Sequence, residues 1–258
     1  MRFAIVIPAR FASSRLPGKP LLRETGKYLI QHVYEQACQA KCASDVIVAT
    51  DDTRIFAAVR EFGGRAVMTR SDHASGTDRV AEVAAQLSAE VIINVQGDEP
   101  LLDPCAIDLL AELMADPASD MATLAVPITS EETYVSPNVV KVVCDDRGRA
   151  LYFSRSPIPM VRDGEPDFAA RPPRFLQHLG VYAYRRTFLL KIATTPPHIL
   201  EQSEKLEQLR VLGTGGTIAV GHVAHAHRGI DTPADYAEFV RWYRTGGQKG
   251  AEGTRRAA

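Results

Sequence analysis

Residues 3–21 read FAIVIPARFASSRLPGKPL, and residues 91–101 read VIINVQGDEPL. Each begins as a short apolar, β-branched run and breaks abruptly into a polar turn. Such runs, apolar on both sides of the pleat and bounded by turn signals, are the mark of a strand buried on both faces. Val46–Ala49, Ala66–Met68 and Met121–Val126 read the same way. Between these strands the apolar residues fall at three- and four-residue spacings. Leu29, Ile30, Val33, Tyr34 and Ala37 make one stripe; Ile55, Val59 and Phe62 make a second, with Asp51 or Asp52 as cap and Gly63-Gly64 as stop. Val80, Val83, Ala84 and Leu87 form a third, and Ile107, Leu110, Leu113 and Met114 a fourth. Strand–helix–strand repetition of this kind predicts an α/β fold with a mostly parallel sheet flanked by helices. Ligands of such sheets bind beyond the carboxyl ends of the strands, so chemistry is expected just after Ile7, Ala49, Met68 and Val95.

The pattern changes near residue 137. Val139–Val143 and Ala150–Phe153 flank Asp145-Asp146-Arg147-Gly148, a hairpin signal. A proline-rich stretch follows, then a strand at Leu179–Tyr184 and a helical segment around Leu206, Leu209 and Val211 that ends at Gly213. One domain spanning residues 1–258 is expected, with a smaller, partly antiparallel lobe inserted at about 137–215 and suited to substrate cover or dimer contact. Pro233 to Tyr243 reads as a final helix, and Gly246–Ala258 as a fraying polar tail.

With 258 residues, 45% hydrophobic and 24% charged, the chain has ample core and needs no disulfide or metal staple. Thirty Lys and Arg against 31 Asp and Glu give a net charge of −1, which provides no global field for nucleic acid or an anionic membrane; any anion site must be local. No stretch is long and apolar enough to span a bilayer, and the run Phe3–Ile7 is too short for a signal-peptide core. Cys38, Cys42, Cys105 and Cys144 lack paired spacing, so reduced thiols and a cytoplasmic setting are expected.

The loop after the first strand carries Arg10, Arg15 and Lys19, the hydroxyls of Ser13 and Ser14, and a Pro-Gly pair. Clustered cations and backbone N–H groups at a strand end suit a polyphosphate. The spacing of a Walker P-loop is absent, and no GxGxxG follows a strand. In the second stretch an apolar strand runs into Asp98 and Glu99. Asp98 is read as a ligand for Mg²⁺, a hard cation that takes carboxylate and phosphate oxygens; Glu99 is read as the cap of the next helix. Asp231, in Gly229-Ile230-Asp231-Thr232-Pro233, is by itself an ordinary helix cap, as is Thr232. Only the need for a second carboxylate beside Asp98 makes it a metal-ligand candidate. Arg79 sits in the first turn of a helix, which is unfavourable unless an anion compensates it. His222, His225 and His227 match no zinc motif and are read as solvated. No GxSxG elbow is present.

The chain resembles the 3-deoxy-manno-octulosonate cytidylyltransferases, the CMP-Kdo synthetases of bacterial lipopolysaccharide synthesis. The blocks, in family order, are IPARFASSRLPGKPL (7–21), VATDD (48–52), MTRSDHASGTDR (68–79), NVQGDEPL (94–101), MATLAVPI (121–128), NVVKVVCDDRGRALYFSRSPIP (138–159), HLGVYAYR (178–185), LEQLRVL (206–212) and GIDTPAD (229–235). The resemblance implies a homodimeric, Mg²⁺-dependent enzyme of Rossmann-type, glycosyltransferase-A-like fold that joins CTP and Kdo into CMP-Kdo and pyrophosphate. It implies that Ala9, Arg10, Ser13, Arg15 and Lys19 hold the nucleotide phosphates, and that Arg70, Asp72 and Ser75 lie around the nucleotide. By the same motif match Asp98 and Asp231 carry magnesium, while Arg79, Gln96, His178, Tyr182, Glu207 and Gln208 surround the sugar. Asp98, Asp231, Lys19 and Arg15 are the implied catalytic set. Tyr28, Met160-Val161 and Gly213-Thr214-Gly215 depart from the family pattern and bear on packing rather than on the reaction. Rival readings are a cytidylyltransferase for sialic acid or 8-amino-Kdo, and a catalytically silent CTP-binding protein.

Overall fold

A computed structural model describes residues 1–13, 15–226 and 229–246. Ser14, His227 and the tail after Gly246 lie outside the described residues. The first half alternates as the hydrophobic pattern requires: β1 (Phe3–Ala9), α1 (Leu29–Ala37), β2 (Ala43–Thr50), α2 (Thr53–Glu61), β3 (Ala66–Met68), α3 (Gly76–Ala85), β4 (Val91–Asn94), α4 (Pro104–Leu113) and β5 (Met121–Pro127). Then come α5 (Glu131–Val135), the hairpin β6 (Lys141–Cys144) and β7 (Ala150–Ser154), and β8 (Leu176–Arg185). Helices α6 (Arg186–Thr194), α7 (Ile199–Glu204) and α8 (Gln208–Gly213), strand β9 (Ile218–His222) and helix α9 (Pro233–Arg244) complete the chain.

The principal sheet has the order β3-β2-β1-β4-β8-β5-β9. Pairs β1–β2, β1–β4, β2–β3 and β5–β9 are parallel, whereas β8 runs antiparallel between β4 and β5. The segment 137–215 is thereby woven into the middle of the sheet through β8, and the β6–β7 hairpin extends from β8 through the β6–β8 pairing.

Both faces of the sheet are covered, which is why its strands are apolar at successive positions. Ile5 and Ile7 pack with Ile30 and Val33 of α1, Ile55 and Val59 of α2, and Ile107 and Leu110 of α4. Ala4 and Val6 face the opposite way, against Val80 and Val83 of α3 and Leu189 and Ile192 of α6. Each fully buried aliphatic side chain of this kind stabilises the fold by about 1.5–3 kcal/mol relative to exposure. The helix starts use the expected chemistry: Asp52 caps α2, Ser75 closes a capping box with Asp78 on α3, and Thr232 does so with Asp235 on α9. Tyr28, one of the departures from the family pattern, precedes α1; its hydroxyl donates to Glu61 Oε2 at 2.8 Å and its ring lies 4.6 Å beneath the Arg23 guanidinium.

A β-bulge marks β8. Thr123 pairs with Tyr182 but the next residue, Leu124, pairs with Leu179, leaving Gly180 and Val181 as the extra residues. The Thr123 hydroxyl lies inside β8's irregularity, 2.9 Å from the Val181 carbonyl and 3.0 Å from His178 Nε2. A chain in which His178 donates to Thr123 and Thr123 donates to Val181 uses each group once.

Candidate active site

The carboxyl ends of β1 and β4 open onto a cleft of about 500 Å³. Its floor depends on a close approach: a Cβ on Gly97 would lie 2.7 Å from the Pro8 carbonyl oxygen, so only glycine lets the turn after β4 meet the end of β1. Gly18, at φ +68°, turns the loop after β1 back on itself, and its N–H donates to Phe11 O at 3.1 Å. The short 3-10 turn Lys19–Leu21 follows directly and delivers Lys19 into the cleft.

Asp98 and Asp231 are 133 positions apart in sequence yet face the same ammonium. Lys19 Nζ is 2.6 Å from Asp98 Oδ2 and 3.6 Å from Asp231 Oδ1, and it donates to the Ile230 carbonyl at 2.8 Å. The backbone staples the two acidic turns together, for Ile230 N–H donates to the Asp98 carbonyl at 2.8 Å. Because Thr232 caps α9, the Asp231 carboxylate is left to face Lys19 and, at 3.3 Å, Arg15 Nη2. Ala9, Arg10, Ser13 and Ser75 line the same cleft. One guanidinium nitrogen of Arg10, Nη2, is buried with no hydrogen-bond partner, a donor suited to an anion.

A second chamber of about 410 Å³ adjoins the first, sharing Gly76, Gln96 and Glu207 with it. His178, Tyr182 and Gln208 line it. The bulge in β8 brings His178 and Tyr182 to this wall and presents the Gly180 carbonyl to Gln96 Nε2 at 3.4 Å. Burial pushes the His178 imidazole down to about 3, so it is neutral, and raises the Tyr182 phenol. Glu207 accepts from Thr77 Oγ1 at 2.6 Å. Gln208 Nε2 is buried without a partner, a second orphaned donor beside an open chamber.

Three of the residues that the motif resemblance assigns to the site lie elsewhere. Arg79 is fully buried and lines neither chamber; its anion is Asp51, at 3.0 Å, supplemented by Thr69 Oγ1 and the Arg70 carbonyl. The charge that looked unfavourable in a helix's first turn is thus compensated from inside the protein. Arg70 and Asp72 are exposed and pair with each other at 2.5 Å, outside both chambers. Glu99 corrects the sequence reading in the other direction. Asp103 caps α4, its side chain accepting from Cys105 N–H, while Glu99 lines the second chamber. Desolvation, then the neighbouring Asp98 charge, pushes the Glu99 carboxyl up to about 8. The Asp103-Pro104 pair was the better cap signal in the sequence, since proline is favoured at the first helical position. Asn138, the first residue of the 138–159 block, and Lys205, just before the 206–212 block, also line this chamber, although the motif match gives neither a site role. Among the described residues no cluster of three or more His, Cys, Asp and Glu forms a metal site, and no helix is long and apolar enough to cross a membrane.

A cationic strand-end loop facing two converging carboxylates defines an α/β protein built to hold nucleotide phosphates. Comparison with known proteins narrows this. The cytidylyltransferase family model matches residues 4–218. The 3-deoxy-manno-octulosonate cytidylyltransferase of Geobacter sulfurreducens is 52% identical over 93% of this chain and 98% of its own length, and that of Syntrophobacter fumaroxidans is 54% identical over 93% and 96%. A solved structure described as CMP:2-keto-3-deoxy-manno-octonic acid synthetase complexed with CTP superposes with a TM-score of 0.88 at 47% identity, covering 95% of this chain and 99% of that one. A cytidylyltransferase from Leptospira borgpetersenii, at 16% identity and a TM-score of 0.58, shares the fold. The chain belongs to the 3-deoxy-manno-octulosonate cytidylyltransferase family.

Proposed function

We propose that the protein transfers the cytidylyl group of CTP to the anomeric hydroxyl of 3-deoxy-D-manno-octulosonate (Kdo), giving CMP-Kdo and pyrophosphate for lipopolysaccharide synthesis. The observation that carries this reading is the convergence of Asp98 and Asp231 on one cationic point in the cleft that Arg10, Arg15 and Ser13 line. The sugar oxygen forms a bond to the α-phosphorus as the bond to pyrophosphate breaks. Catalysis of this kind is chiefly positioning and charge stabilisation, so no side-chain nucleophile is needed. Arg10, Arg15 and Lys19 neutralise the departing pyrophosphate, and the Ser13 hydroxyl and the loop around it orient the phosphates.

The donor set fits Mg²⁺, which is usually held by one or two carboxylates plus substrate phosphate oxygens; Asp98 and Asp231 would hold it. When bound, the ion supplies charge neutralisation at the phosphate and acidifies the attacking hydroxyl. The second chamber takes the sugar: Gln96, Gln208, Tyr182 and Glu207 offer hydrogen bonds to its hydroxyls, and neutral His178 stiffens the wall. The segment 137–215 contributes most of this chamber. We assign the same segment to a homodimer contact, in keeping with the exposed apolar side chains of Leu151 and Met160. A cytoplasmic location accords with four cysteines that show no paired spacing in the sequence. The test is pyrophosphate release from CTP with Kdo, 8-amino-Kdo and N-acetylneuraminate in parallel. Release with Kdo well above the other two supports the proposal; release with none of the three defeats it.

A further inference from the structure

We propose that Lys205 recognises the carboxylate of the acidic sugar. This rests on the assignment of the second chamber to that sugar. A sugar acid brings a negative charge into a chamber whose lining already holds Glu207, so a cation must meet it. Arg79, the cation implied by motif, is buried elsewhere against Asp51. The other cations near this wall are also committed. Arg210 forms a forked pair with Glu201, at 2.5 and 2.8 Å. Arg155 donates to the Glu204 and Pro137 carbonyls, and Lys141 to three carbonyls. Among the described residues that line the chamber, Lys205 is the one Lys or Arg, and no hydrogen bond or ion pair engages its ammonium.

The backbone adds a second, independent observation. Lys205 adopts φ +56°, ψ +46°, and is the one non-glycine residue at positive φ among those described. Glycine or asparagine fits this conformation at lower cost. A long cationic side chain kept there, at the turn where α7 hands over to α8, has a use that offsets the strain. The turn is also rigid. The Lys205 N–H donates to the Glu201 carbonyl at 2.7 Å, the Glu201–Arg210 pair ties α7 to α8, and Glu204 is held by Ser154 and by the Arg155 N–H. The backbone that carries Lys205 is therefore held at a fixed point of the chamber wall.

The test is steady-state pyrophosphate release by the full-length enzyme and the variants Lys205→Met, Lys205→Asn and Lys205→Arg, varying Kdo and CTP separately. Loss of a charge-assisted contact is expected to raise the KM for Kdo about tenfold or more in the Met and Asn variants, with the KM for CTP unchanged and Arg restoring most of the loss. Asparagine tolerates this backbone, so its failure reports the missing charge and not strain. An unchanged KM for Kdo in Lys205→Met, or full recovery in Lys205→Asn, overturns the inference while wild-type turnover leaves the assigned reaction standing. A wild type that releases no pyrophosphate with Kdo overturns both.

Discussion

Gly97→Ala places one methyl group against the backbone that shapes the nucleotide cleft. The added carbon would sit 2.7 Å from the Pro8 carbonyl oxygen and 3.6 Å from Ile30 Cδ1. The second contact is ordinary; the first is closer than carbon and oxygen tolerate. To reach normal separation the turn after β4 must retreat from the end of β1 by roughly 0.8 Å, since non-bonded contacts become favourable only near 3.5 Å. Pro8, Ala9, Gly97 and Asp98 all line the cleft, so the retreat moves the carboxylate of Asp98 relative to the phosphate loop. A displacement of about 1 Å in a positioning element costs on the order of a hundredfold in rate, so a fall in kcat/KM for CTP of about 10- to 100-fold is expected. Overpacking costs about 1–3 kcal/mol, or roughly 2–10 °C in Tm for a chain of this size. Pyrophosphate release and thermal melting measure the two effects. Gly76→Ala is the comparison, because its new Cβ would make only ordinary contacts with the Pro8 ring, 3.5 Å from Cγ and 3.8 Å from Cβ. Wild-type kcat/KM and Tm in Gly97→Ala would refute the close-approach argument.

Arg79→Met leaves Asp51 without its internal cation. Breaking a buried pair costs about 3–5 kcal/mol, and because Asp51 keeps 20% exposure the expected loss is about 2–4 kcal/mol, with the KM for Kdo little changed. A stable variant with a sharply raised KM would return Arg79 to the site. Acid sensitivity follows from His32 and His178, pushed by burial down to about 4 and about 3. The unfolded chain binds their protons from about pH 6.5 downward and the folded chain does not, so they make stability fall as pH drops from 6.5 toward 4, each by up to about 1.4 kcal/mol per pH unit. Glu99, raised to about 8, acts oppositely: it keeps its proton when folded, and its contribution is lost as pH rises through 8. The informative quantity is therefore the difference in melting between wild type and His32→Gln from pH 7 to pH 4.5, where the variant should lose less; parallel curves would contradict a neutral buried His32.

Most of the scaffold was legible because a sheet covered on both faces imposes apolar runs, and helices between them impose three- and four-residue spacings. β1 to β5 and α1 to α4 follow those patterns closely. What periodicity does not encode is the lateral order of strands. Leu179–Tyr184 reads as a strand, but nothing local says that β8, Leu176–Arg185, lies antiparallel between β4 and β5. The bulge at Gly180-Val181 is equally hidden, since it depends on the partner strand's Thr123. In the site, residues inside the family blocks were readable as a group: Lys19, Asp98 and Asp231, from three blocks far apart in sequence, lie together in one cleft. Charges compensated from afar were not. Arg79 finds Asp51 across 28 positions, and Lys205 lines the second chamber from a turn whose left-handed backbone has no glycine to announce it.

The account turns on two acidic side chains acting as one site, so the most direct measurement is a double-mutant cycle on Mg²⁺ dependence. Half-saturating Mg²⁺ for pyrophosphate release, and Mg²⁺-dependent CTP binding by calorimetry, are compared in wild type, Asp98→Asn, Asp231→Asn and the double variant. Shared coordination predicts that either single change removes nearly all of the Mg²⁺ response and that the second adds little. Independent, additive losses, or a Mg²⁺ response that survives both changes, would contradict it.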